Sequence, residues 1–139
     1  VVHAPVLGST YLGSRGVGAW VEREGERSPI SVARYEGGPL RVVASRSHAG
    51  AETEAYLEEL RARFGEVELV SIGSSLKLCL VAEGAAHLYP RLGPTMEWDT
   101  AAAQAVVEAA GGIVVDEQGE RLLYNKESLL NPFFFVKFA

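Results

Sequence analysis

At 139 residues, with 47% hydrophobic and 22% charged residues, the chain has the length and composition of one compact globular unit. Its formal net charge of −5 argues against a general surface for a nucleic-acid polymer, but a local cluster of cations can still hold a small anion. No apolar run approaches the ~20 residues that cross a bilayer, no signal segment is read at the start, and the single cysteine, Cys79, excludes an internal disulfide framework and fits a reducing cytoplasm.

In chain order, residues 1–32 read as meandering β-structure, because Val6, Tyr11, Val17, Ala19 and Val21 lie among Gly8, Gly13, Gly16 and Gly18. "EREGERSP" (22–29) reads as a polar turn and "ISVA" (30–33) as a short returning strand. "YEGGP" (35–39) is the best linker, joining paired glycines to a proline. Beyond it strands and helices alternate. "LRVVAS" (40–45) reads as a strand. "AETEAYLEELRARFG" (51–65) reads as a helix with Leu57, Leu60 and Phe64 on one face, a Glu59–Arg63 pair, and Gly65 as its stop. "VELVSI" (67–72) is a second strand. "SSLKLCLVAEG" (74–84) is a second helix, with Ser75 as N-cap, Leu76, Cys79 and Leu80 inward, and Gly84 at its end. "AHLY" (86–89) is a third strand, 99–110 a third helix, "GIVVD" (112–116) a fourth strand, and "EQGERLLY" (117–124) a hairpin turn. This alternation with short connections indicates an α/β layer on a parallel or mixed sheet, whose ligands bind outside the carboxyl ends of the strands.

Three strand-to-helix junctions therefore carry the chemistry. "SRSHAG" (45–50) sets Ser45, Arg46, Ser47 and His48 where a helix begins, an oxyanion cradle unless Ser47 is only a cap and Arg46 only a surface charge. "IGSSLK" (72–77) places Gly73 where backbone amides can approach a ligand and Lys77 in the first helical turn, although it lacks the spacing of a P-loop. "YPRLGPTMEWD" (89–99) brings Arg91 and Asp99 together. An aspartate at a helix start caps the helix or holds a hard cation such as Mg2+. At 72–77 the alternative is that Gly73 is only a turn and Lys77 only an exposed charge. Tyr89 and Trp98 are available to flank a flat ring. Core packing is the default for both, and more so for Trp98. Together, several cations and one carboxylate along one sheet edge suit a phosphate ester held beside a divalent metal.

These segments carry a family likeness. "WDTAAAQAVVEAAGG" (98–112) resembles the second signature of the inositol monophosphatase superfamily, W-D-x-A-A-G followed by a helix ending in E-A-G-G. "VVASRSH" (42–48), "GSSLKLCLVAEGAAHLYPRLGPTMEWDTAA" (73–102) and "ESLLNPFFFV" (127–136) look like its 3'(2'),5'-bisphosphate nucleotidases of the CysQ type, and "VVHAPVLGSTYLGSRGVGAW" (1–20) matches the segment after the family's first signature. The resemblance implies a Mg2+-dependent, typically lithium-sensitive phosphatase that removes the 3'-phosphate of adenosine 3',5'-bisphosphate, leaving AMP, in sulfate assimilation. It implies in-line attack by a metal-activated water beside two or three Mg2+. Carried over by position, Asp99 is a metal ligand that can also orient that water. Ser45, His48, Gly73 and Lys77 match substrate-contacting positions, with Arg91 a further candidate. Nucleic-acid polymers are not implied as partners.

The departures are as informative. The first signature, D-P-[IL]-D-G-[TS], is absent, and the only aspartates are Asp99 and Asp116. Ala103 stands where the second signature has glycine. The chain is thus expected to be the carboxyl-terminal part of such an enzyme, inactive alone. Residues 1–36 would be antiparallel strands of an incomplete N-terminal domain, and 37–139 the α/β domain of the sugar-phosphatase fold. The partner would be the missing part, or a second copy. The alternatives are a non-catalytic nucleotide- or anion-binding module, and a phosphatase of inositol phosphates or fructose 1,6-bisphosphate.

Overall fold

A computed structural model describes residues 1–44 and 50–139. The chain begins with a four-stranded antiparallel meander, β1 (Val2–Ala4), β2 (Ser9–Ser14), β3 (Gly18–Arg23) and β4 (Glu26–Ile30), paired in sequence order. A second, mixed sheet follows, built from β5 (Leu40–Ala44), β6 (Val67–Ser71), β7 (Leu88–Arg91), β8 (Gly112–Val115) and β9 (Phe134–Phe138) in the order β6-β5-β7-β9-β8. β5 runs parallel to β6 and β7, whereas β9 is antiparallel to both of its neighbours. The helices are α1 (Ala51–Phe64), α2 (Leu76–Ala82) and α3 (Glu97–Ala109).

Alternation along the strands explains the layering. Tyr11, Ala19 and Val21 leave one face of the meander and enter a single core with Leu78, Cys79 and Val81 of α2, Val106 and Val107 of α3, and Val43, Val114 and Val136 of the mixed sheet. Thus α2 and α3 lie between the two sheets. On the far face of the mixed sheet, Leu57 and Leu60 of α1 bury against Leu40, Val42 and Leu88. The order of layers is sheet, helix pair, sheet, helix.

The meander is pinned twice to the helix pair. Gly13 of β2 meets α3 so closely that a Cβ there would lie 2.7 Å from Val106 Cα. At the end of α2, the Tyr11 hydroxyl donates to Glu83 Oε1 (2.8 Å), and Arg23 Nη2 donates to that hydroxyl (3.0 Å) and to Glu83 Oε2 (2.9 Å). Burial, then the Glu83 carboxylate, push the Tyr11 phenol well above its ordinary range, so it remains a neutral donor.

Several local expectations change. "EREGERSP" is not one turn: β3 runs through Arg23 and β4 starts at Glu26, leaving Glu24 and Gly25, both at positive φ (52° and 78°), as a two-residue hairpin turn. β4 stops at Ile30, and Val32 instead packs into the core while its amide donates to Ala110 O. Ser75 occupies the N-cap position of α2 in helical conformation and caps nothing with its side chain. The exposed pair on α1 is Glu58–Arg61 (2.6 Å), not Glu59–Arg63. Gly65 does end α1, its amide donating to Arg61 O at φ 85°. Helix α3 begins at Glu97, two residues before its expected start. The 117–124 segment does turn back on β8, through Asp116 Oδ1, which accepts from the amides of Gln118 and Glu120. β9 was not anticipated.

The Gly13 contact sets a test. Gly13→Ala forces a methyl group into the backbone of α3 and should cost about 1–3 kcal/mol of stability, read as a lower urea midpoint with an unchanged slope.

Candidate active site

Below the carboxyl ends of β6 and β7, a cleft of about 420 Å³ opens between α2 and the start of α3. Its wall includes Ser74, Lys77, Tyr89, Arg91, Trp98 and Asp99. Two of the three expected junctions therefore meet in one place. Ser45 and His48, with Arg46 and Ser47, lie outside the described residues.

Lys77 leaves the first turn of α2 and is 7% exposed, with Nζ 5.8 Å from the Tyr89 ring centroid. Its Nζ makes no hydrogen bond or ion pair among the described residues. Burial, then the neighbouring Arg91 guanidinium, pull its pKa below the usual lysine value. Such a buried, uncompensated ammonium favours an anion in the cleft. Arg91, at the end of β7, donates from Nη2 to Pro94 O (3.4 Å), while its buried Nε has no partner among the described residues. Asp99 is the third residue of α3, and its Oδ2 accepts from the Met96 amide (2.8 Å). It therefore caps the helix with one oxygen. Its Oδ1 has no hydrogen-bond partner among the described residues. Gly73 does not line this cleft, and a Cβ there would meet nothing within 4 Å, so packing makes no demand for glycine.

Of the two aromatics expected to pack in the core, Tyr89 does and Trp98 does not. Tyr89 is in the core, edge-on to Phe134, with burial raising its phenol pKa. Trp98 is 68% exposed at the rim. Tyr89 stands on a strand inside the mixed sheet and shows only its edge to the cleft, whereas Trp98 sits on the outward side of a helix start.

Residues passed over in the sequence hold that helix start in place. Glu97 is buried, and accepts from the amides of Asn125 (2.7 Å) and Lys126 (3.1 Å) and from Lys126 Nζ (2.5 Å). Asn131 Nδ2 lies within hydrogen-bond reach of Met96 O (2.9 Å), Thr100 Oγ1 (3.0 Å) and Thr95 Oγ1 (3.2 Å). The 124–131 segment is thereby clipped to the turn that presents Asp99. Asn131 falls within "ESLLNPFFFV", the one signal of it in the sequence; Glu97 carries none, since its partners lie 28 and 29 residues away.

With this geometry in hand, comparison with known proteins is decisive at the family level. The profile described as "Inositol monophosphatase family" matches residues 1–132. The chain belongs to the inositol monophosphatase family. Among curated members, the 3'(2'),5'-bisphosphate nucleotidase CysQ of Escherichia coli (strain K12) is 53% identical over 98% of this chain and 53% of its own length. That of Buchnera aphidicola is 41% identical over 98% of the chain and 50% of its own length. The crystal structure of CysQ from Bacteroides thetaiotaomicron superposes with a TM-score of 0.87 at 44% identity, covering 97% of this chain and 55% of that one. Mycobacterium tuberculosis SuhB, at 24% identity and a TM-score of 0.64 over 94% of this chain and 49% of its own, shares the fold. The chain spans about half the length of the curated relatives it matches. Its mixed α/β architecture is that of the family.

The Glu97 clip is testable through pH. Lys126, then the two amides, hold the Glu97 carboxyl below its ordinary range. Its contribution is therefore present above the ordinary carboxylate pKa and is lost as pH falls through the lower, folded value. Glu97→Gln should lower stability at neutral pH, flatten the acid side of the stability curve, and speed hydrogen exchange several-fold at the Asn125 and Lys126 amides.

Proposed function

We propose that these 139 residues form the carboxyl-terminal share of a Mg2+-dependent 3'(2'),5'-bisphosphate nucleotidase, which removes the 3'-phosphate of adenosine 3',5'-bisphosphate to give AMP and phosphate. The observation that carries this reading is the meeting of Lys77, Arg91 and Asp99 in one cleft at the carboxyl ends of parallel strands. Two cations balance phosphate charge, and Lys77 is desolvated enough for that charge to count. The likeness to CysQ across nearly the whole chain points to the nucleotide rather than to an inositol phosphate or fructose 1,6-bisphosphate.

A Mg2+ site is present only in part. No group of three or more His, Cys, Asp or Glu side chains that could hold a metal occurs among the described residues. Asp99 Oδ1 offers one ligand to an ion that demands near-octahedral oxygen coordination. In the proposed enzyme the remaining carboxylates come from the half that carries D-P-[IL]-D-G-[TS], and the bound metal activates water and neutralises developing charge. On this chain, Lys77 and Arg91 bind and orient the phosphates, while the Met96 amide and the Glu97 clip hold Asp99 in position.

In the same reading, residues 1–36 complete the N-terminal domain and 37–139 form the α/β domain. The outward face of the meander, where Leu12 pairs with Trp20, receives the rest of that domain or a second copy of the chain. Leu12 and Trp20 are half-buried, and Val6 and Val17, in the turns between the strands, are exposed at 97% and 71%.

These 139 residues alone should release no phosphate from adenosine 3',5'-bisphosphate with or without Mg2+; Mg2+-dependent turnover would defeat the half-site reading. Calorimetry should still detect weak AMP binding, reduced roughly tenfold by Lys77→Ala, as expected for loss of a charged hydrogen-bond donor. Full AMP affinity without any gain of turnover on adding the missing half would favour the binding-module alternative. Sedimentation should find the isolated chain self-associated, and a clean monomer would count against the exposed sheet face as a contact.

A further inference from the structure

At the opposite edge of the mixed sheet, a separate pocket of about 270 Å³ lies between the sheet and the last turn of α1. It opens at the amino ends of β5 and β7, where Leu40 and Leu88 begin their strands, and beside Lys137 and Phe138 at the end of β9. Ligands of α/β sheets gather at the other edge, so the proposed phosphatase cleft does not account for this one.

Its lining is aromatic and ordered. Tyr35 stands edge-on to Phe64 (5.2 Å, 88°) and to His87 (5.5 Å, 86°), and its hydroxyl donates to Gly38 O (2.7 Å). Tyr56 and Phe138 complete the ring-lined wall. Aromatic pockets of this kind take either flat rings or organic cations. Charge decides between them. Arg63 and Lys137 are on the wall, Arg34 stacks over the Phe138 ring at 4.7 Å, and no Asp or Glu is among the described residues that line the pocket.

His87 supplies a polar anchor. Its Nδ1 accepts from the Arg41 amide (3.0 Å), which places the hydrogen of the neutral ring on Nε2. That N–H has no acceptor among the described residues. Burial, then Arg41, keep the ring below the ordinary histidine pKa and hence neutral at physiological pH.

We propose that this pocket is a second binding site, taking a small aromatic monoanion of the aryl-carboxylate class. The ring packs among Tyr35, Phe64 and Phe138, and the carboxylate meets Arg63, Lys137 and the His87 Nε2–H. The volume of about 270 Å³ admits one ring with its acid group. The site does not depend on the nucleotidase reading.

The test is an NMR titration of the chain with benzoate, benzyl alcohol and benzylamine in parallel, following the His87 imidazole and the Tyr35 and Phe64 ring signals. Benzoate should give saturable shifts and raise the His87 pKa, since an anion beside Nε2 favours the imidazolium. Benzyl alcohol should bind at least tenfold more weakly, and benzylamine should leave the signals unmoved. The exposed double substitution Arg63→Gln, Lys137→Gln should weaken benzoate at least tenfold with an unchanged far-UV CD spectrum, whereas Lys77→Ala should not affect it. Equal binding of the three probes, loss of benzoate binding on Lys77→Ala, or no saturable shift would each overturn the proposal.

Discussion

Helix α3 is packed between two sheets, at backbone contact distance on the side of the meander, and most of the architecture depends on that closeness. Gly13 and Gly112 mark its limits. A Cβ at the first would strike Val106 Cα at 2.7 Å; at the second it would lie 2.8 Å from a Val107 methyl, 2.9 Å from a Val32 methyl and 3.0 Å from Lys137 O. A helix with a sheet on each side cannot be amphipathic in the usual one-stripe way. It needs small residues where the backbones converge, as Ala109 shows beside Gly13 and Ala103 in the core, with Val106 and Val107 buried around them, whereas Ala101, Ala102 and Ala105 face solvent.

That confinement is also what aims the site. Because α3 cannot shift along its axis without breaking contacts on two faces, its first turn is a rigid platform. Glu97, Asn131 and the Met96 amide then fix the last degrees of freedom around Asp99. Ala103 replaces the family's glycine in the middle of this packing, yet it is 1% exposed and is accommodated within the core. The Tyr11–Arg23–Glu83 cluster does the same for α2, whose other end carries Lys77. Packing and ligand chemistry are thus joined: the elements that bring the two sheets together are those that bear the cleft's cation and carboxylate.

How much could be read in advance varied with the range of the forces involved. Helix α1 was legible because its apolar spacing and Gly65 are local signals. The hairpin after β8 was legible because Asp116 and Gly119 write their own turn. β9 was not: "FFFVKF" is apolar at every position but Lys137, so the alternation of burial along the strand is not written in residue type, and nothing local separates it from a buried loop. The expectation that Trp98 packs in the core more firmly than Tyr89 failed for a related reason. Hydrophobicity alone ranks tryptophan as the more buried residue, but the strand position of Tyr89 and the helix-start position of Trp98 decide which meets solvent.

By itself the sequence determined the alternation of strands and helices, the family signature around Asp99, and the candidacy of Lys77 and Arg91, because each rests on residue type at short spacing. Only the tertiary structure decided that Lys77, Arg91 and Asp99 share a cleft, and that Asp99 caps its helix with one oxygen. It alone showed that Glu97 and Asn131 hold that turn from residues about thirty positions apart. Those relations depend on burial and on distances across the chain, which arise when two sheets close on a helix pair and which no local pattern encodes.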